Sequence, residues 1–160
     1  MSNYFSEQEV STLKSLEGTP IEHVIYHVWT NVAQKGELFE SLDWLELRFP
    51  NQERIFLSGG MESDSIKLVD FDLRTEKEAI EKQFSGQVEI RSYIVNEMEL
   101  WKPAVNKPIR EIRLSGAGGH FLNDEFIITV DSEEEDEEFY HLMISLSSEE
   151  GLLVELHEDI

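Results

Sequence analysis

From Trp44 onward, runs of five to eight residues rich in β-branched and aromatic side chains are broken repeatedly by Pro, Gly, Asn or clustered acids. Runs of that length match strands, whose average is about 5–6 residues, and fall short of the roughly 11–12 of an average helix. The sequence therefore predicts strands over 44–49, 54–58, 65–71, 88–94, 109–114, 125–130, 139–146 and 152–156. Pro50-Asn51-Gln52, Gly59-Gly60 and Ser147 to Gly151 supply turn chemistry between them. Two helices interrupt the pattern. Ser6 and Glu9 form a capping box before Val10, Leu13 and Leu16, with Gly18 as the stop, which predicts a helix over about 7–16. Thr75 and Glu78 repeat the motif before Ala79, Ile80 and Phe84, and Gly86 closes a helix over 75–84.

Residues 20–33 carry both periods. Ile21, Val24, Ile25, Val28, Trp29 and Val32 fit a helical stripe. As a strand, Ile21, His23, Ile25, His27 and Trp29 share one face, with Val24, Tyr26 and Val28 on the other. An internal similarity tips the segment toward strand. Thr19-Pro20-Ile21-Glu22-His23-Val24 resembles Lys107-Pro108-Ile109-Arg110-Glu111-Ile112, and three β-rich runs follow each. The expected fold is α+β and β-rich: a mostly antiparallel meander in two similar halves, 19–72 and 107–160, within one domain over 1–160. The two short helices and a connection over 96–108 complete it.

Charge narrows the functional classes. The chain holds 34 Asp and Glu against 13 Lys and Arg, and from Leu114 to Ile160 there are 14 acids and no Lys or Arg. Such a field repels phosphate backbones and anionic membranes and attracts cationic proteins. The short basic cluster Lys102, Lys107, Arg110 and Arg113 is read as neutralising nearby carboxylates. Neither nucleic acid nor a membrane is an expected partner. There is no Cys, which removes disulfides, thiolate metal sites and a cysteine nucleophile. No basic region followed by an apolar stretch opens the chain, and no apolar run approaches the roughly 20 residues of a membrane span, so a cytoplasmic protein is expected.

Motifs for chemistry are sparse. His23 and His27, four apart, share a face and form the one pair suggesting a metal, but no H-E-x-x-H pattern supplies a third ligand. Ser115-Gly116-Ala117-Gly118-Gly119-His120 lacks the Gly-Lys-Ser/Thr ending of a phosphate loop and reads as a hairpin or bulge. The acidic run from Asp131 to Glu138 lacks the spacing of a calcium loop. Adjacent carboxylates about 6 Å apart repel by only about 0.7 kcal/mol in water, so a solvated turn tolerates them. The serines show no G-x-S-x-G elbow, and nothing in the order of residues selects one of them for a triad.

These features predict a non-enzymatic protein-binding module, of the inhibitor or immunity type, that docks a basic protein and needs no cofactor. Its expected contact residues are Asp124, Glu125, Glu133, Glu134, Glu135, Asp136, Glu137, Glu138, Glu149 and Glu150. Trp44, on one strand face with Glu46 and Arg48, is the expected aromatic anchor. The alternatives are a metal-dependent or ligand-binding enzyme built on His23 and His27, and a structural subunit held by a sheet edge.

Overall fold

The computed structural model describes residues 4–31, 39–59, 65–70, 72–134, 137–147 and 151–158. Helix α1 (Glu7–Ser15) begins at the expected capping box: Ser6 accepts from the Glu9 amide, and Glu9 accepts from the Ser6 amide. The other Glu9 oxygen accepts from the Leu68 amide at 2.9 Å, so the same side chain caps a helix and ties it to the sheet. Leu13, fully buried, carries α1 into the core.

The ambiguous segment is a strand, β1 (His23–Asn31), buried on both faces, with Val24 and Val28 in the main core. It opens a consecutive antiparallel run with β2 (Phe39–Arg48), β3 (Arg54–Ser58) and β4 (Lys67–Val69). Helix α2 (Leu73–Phe84) follows, and β5 (Val88–Ile94) returns to pair with the free edge of β1. The cap of α2 is Asp72, which accepts from the Arg74 amide, and not Thr75, so the helix starts two residues before the expected range of 75–84. A second antiparallel run comprises β6 (Ile109–Ala117), β7 (His120–Asp131), β8 (Phe139–Ser147) and β9 (Gly151–Leu156). Gly118 and Gly119, both at positive φ, make the tight turn between β6 and β7, which is the role expected of the glycine-rich stretch.

The chain is thus β-rich with two helices, but its sheet is mixed. The two runs meet through a parallel contact, Leu42 of β2 against Gly151 of β9. A second junction lies just before β4, where the Ile66 amide donates to the Asn123 carbonyl of β7 at 2.7 Å. The similar segments around Pro20 and Pro108 lie directly against each other as an antiparallel bridge. One core draws on both runs, including Leu45, Leu47 and Leu57 from the first and Ile112, Phe126, Ile128, Leu142 and Ile144 from the second. The connection 96–108 is nailed into it by Trp101, fully buried, whose Nε1 donates to the Tyr26 hydroxyl at 2.6 Å.

A bulge in β2 has an electrostatic consequence. Trp44 and Leu42 oppose the consecutive residues His27 and Val28, which leaves Asp43 as the extra residue. Burial, offset only in part by donation from the Ser41 hydroxyl at 3.0 Å, lifts the Asp43 pKa to about 6. The folded protein therefore holds a proton between about pH 4 and 6 that the unfolded chain has lost, and stability from this group falls as pH rises through that window. Asp43→Asn, which can still accept from Ser41, is expected to stabilise the protein by about 1–3 kcal/mol at pH 8 and by almost nothing at pH 4. Urea unfolding at the two pH values measures the difference.

Candidate functional site: an acidic groove and a buried histidine network

The β7–β8 connection is closed on itself. The Ser132 amide donates to the Glu138 carbonyl at 3.1 Å, and the Glu134 amide donates to the Ser132 hydroxyl at 3.1 Å. Beside it runs the connection 96–108, and between them lies a groove of about 900 Å³. Its walls carry Glu99, Glu133, Glu134, Glu137, Glu138 and Glu158 against two lysines, Lys102 and Lys107. Its lining includes Phe139, Tyr140 and Leu156, and Leu156 is half exposed. The Tyr140 hydroxyl donates to the Leu100 carbonyl at 2.6 Å and so fixes the groove lining to the connection. Burial raises the Tyr140 pKa, and the charges of Glu134 and Glu137 add to the rise, which places both carboxylates within electrical reach of the ring.

Lys107 of the connection and Arg110 of β6 compensate part of the acidic run. Lys107 Nζ lies 3.6 Å from Glu133, and Arg110 Nε lies 3.1 Å from Asp131. Glu133, Glu134, Glu137 and Glu138 are all exposed and share the groove. Asp124 and Glu125 do not join them. They sit toward the opposite end of β7, Asp124 seven residues from Asp131 and so roughly 23 Å away at the rise of a strand. Glu135, Asp136, Glu149 and Glu150 lie outside the described residues. The single contact face expected from the sequence thus becomes a groove at one end of the meander and a separate pair of acids toward the other.

Trp44, the expected aromatic anchor, lies away from the groove. Its ring packs 6.3 Å from Trp29, and Phe84 of α2 meets Trp29 edge-on at 5.7 Å. It is half-buried in a small cluster beside α2, because that helix lies against the sheet face the sequence left open.

The two histidines that the sequence pairs stand apart on β1. On a strand, residues four apart share a face but stand about 13 Å from each other, too far to hold one ion. His23 is exposed at the start of β1, with Nδ1 3.2 Å from the Asn96 amide nitrogen. His27 is buried, with Nε2 2.8 Å from Glu46 Oε1 and Nδ1 2.7 Å from Ser92 Oγ. No cluster of three or more His, Cys, Asp or Glu suited to a metal occurs among the described residues.

Glu46 is only 2% exposed. Burial alone would raise its pKa, but hydrogen bonds from Arg48 and His27, with the charge of Arg48, together hold it below the usual carboxylate value. Arg54 adds a guanidinium 4.0 Å away. Burial lowers the His27 pKa, and Arg48 and Lys77 lower it further against the pull of Glu46. A carboxylate that stays ionised only accepts, so neutral His27 carries its proton on Nε2 and offers Nδ1 as an acceptor to the Ser92 hydroxyl. Sequence reasoning named His27, and Glu46 as a neighbour of Trp44, but it did not connect them and did not single out Ser92.

Compared with family models, curated proteins and solved structures, the chain matches none of them. Any functional reading rests on the geometry above. No helix among the described residues is long and apolar enough to cross a membrane.

Proposed function

We propose that the protein is a cytoplasmic binding module for a basic protein, of the inhibitor or immunity type, and that the groove between the connection 96–108 and the β7–β8 turn is where the partner docks. The observation carrying this reading is the combination in one groove of six carboxylates with the apolar surface of Phe139, Tyr140 and Leu156. Charge of one sign steers encounter, and desolvated aromatic and aliphatic surface supplies the affinity that salt does not screen. A net charge of −21 disfavours nucleic acid and anionic membranes as partners.

Binding of a lysine-rich peptide bearing one Trp, followed by calorimetry, tests the assignment. Raising salt from 20 to 300 mM is expected to weaken it by about 10-fold or more. Reversal of Glu134, Glu137 and Glu138 to Lys is expected to weaken it by a similar factor at low salt. Read at 150 mM salt, where the Debye length is about 8 Å, reversal of Asp124 and Glu125 is expected to change it by less than about 3-fold, because they lie farther than that from the groove. Equal losses from the two sets would show that overall charge, and not the groove, governs association.

A further inference from the structure

Outside the groove, three strands assemble a constellation that the binding reading does not use. Ser92 of β5, His27 of β1 and Glu46 of β2 form a continuous hydrogen-bonded line, 2.7 Å from Oγ to Nδ1 and 2.8 Å from Nε2 to Oε1. His27 and Glu46 are buried, at 4% and 2% exposure, whereas Ser92 is exposed. We propose that Ser92 is a base-activated nucleophile that accepts acyl groups from neutral short-chain esters, with His27 as its base and Glu46 as the residue that positions the imidazole.

The strand register accounts for the geometry. The Val95 amide donates to the Val24 carbonyl, so odd-numbered residues of β5 bond toward β1. Ser92 therefore faces His27 across a pair without backbone hydrogen bonds, the pair type that brings side chains closest. Its own amide N–H points away from β1, toward an edge to which no strand among the described residues pairs. Oγ and that N–H are presented together, which gives an attacking oxygen and a donor for the oxyanion it creates.

The chemistry balances without a further reactant except water. Ser92 Oγ forms a bond to the ester carbonyl carbon, and the carbonyl π pair moves onto oxygen beside the Ser92 N–H. The hydroxyl proton passes to His27 Nδ1, and the resulting imidazolium is held against ionised Glu46. Collapse breaks the bond to the leaving alcohol, which takes the proton from Nδ1. Water, deprotonated by the same nitrogen, then releases the acid and restores the hydroxyl. The site is an open strand edge beside Ile94, 70% exposed, so it suits small acyl groups held weakly. The chain's net charge of −21 disfavours the approach of anionic esters at long range, although Arg48, Arg54 and Lys77 lie close to the His27–Glu46 pair.

The test is acylation of the full chain by p-nitrophenyl acetate, with modified serines located by peptide mass spectrometry. Ser85 and Ser115, both exposed, serve as internal references. Ser92 is expected to react about 100-fold faster than either, the lower range for general-base assistance. The rate should fall as pH drops through the His27 titration, which Glu46, Arg48, Arg54, Lys77 and the Ser92 hydroxyl all face. Ser92→Ala should abolish the fast modification without loss of fold, since the side chain is exposed. His27→Gln should bring the rate at Ser92 to that of Ser85. Modification of Ser92 no faster than Ser85 in the wild-type protein overturns the proposal, and that comparison stands even if His27→Gln does not fold. Undiminished reactivity in a folded His27→Gln protein also overturns it.

Discussion

Gly151→Ala is expected to destabilise the protein by about 3 kcal/mol or more, lowering its melting temperature by roughly 6–12 °C for a domain of this size. Gly151 has φ +78°, a conformation that costs an alanine about 1–2 kcal/mol by itself. The larger contribution is steric. An added Cβ would fall 2.3 Å from the Leu42 carbonyl oxygen and 2.9 Å from Ser41 Oγ, and backbone cannot rotate aside as a flexible side chain would. β9 would have to withdraw from β2 at the parallel contact joining the two antiparallel runs. Gly118→Ala provides the control. It has φ +65° with nothing within 4 Å of the added carbon, so only the conformational cost of about 1–2 kcal/mol remains. Equal losses from the two substitutions, read as urea midpoints, would mean that the β2–β9 approach contributes nothing to stability.

That junction shows which parts of the fold were legible in the sequence. Strand positions were, because Pro, Gly and acid clusters punctuate them locally; β3 and β5 match their expected limits residue for residue. The Pro-Ile similarity did not foretell a contact, although the two segments it equates lie side by side at the Pro20–Pro108 bridge. The first half of β2 was not legible. The bulge at Asp43 puts residues on either side of it out of phase, so no simple alternation runs from Phe39 to Arg48. The parallel contact and the Ile66–Asn123 bond join segments more than fifty residues apart and leave no local pattern.

The same distinction divides the candidate sites. Charge is additive along a sequence, so the acidic run was visible as a run. Its apolar lining came from residues far apart in sequence, Pro103, Phe139 and Leu156, and its partial neutralisation by Lys107 and Arg110 depends on where the connection and β6 pack. The Ser92–His27–Glu46 line was invisible for a sharper reason. Ser92 is 65 residues from His27 and Glu46 is 19, and a slip of one residue in either register would turn a partner to the opposite face.

Glu46→Gln is expected to cost about 3 kcal/mol, the lower part of the range for breaking a buried ion pair, because Arg48 is 45% exposed and can turn to water. An amide cannot accept on both sides, so either the His27 Nε2 proton or the Arg48 guanidinium loses its acceptor. The pH dependence identifies the mechanism. The folded-state pKa of Glu46 lies below its unfolded value, so its contribution is full above about pH 4.5 and is lost as pH falls through the folded pKa. The folded-state pKa of His27 is also lowered, and the unfolded chain gains its proton first, so stability from this group declines as pH falls below about 6.5. Asp43 acts in the opposite sense between about pH 4 and 6, which makes Asp43→Asn the background in which both declines are read most cleanly. In Asp43→Asn the acid limb is expected to fall in two stages, and adding Glu46→Gln should remove the lower stage. The upper stage should persist and extend to lower pH, because His27 has lost the carboxylate that favours its protonation. An acid limb identical with and without Glu46 would mean that this carboxylate carries no proton-linked stability.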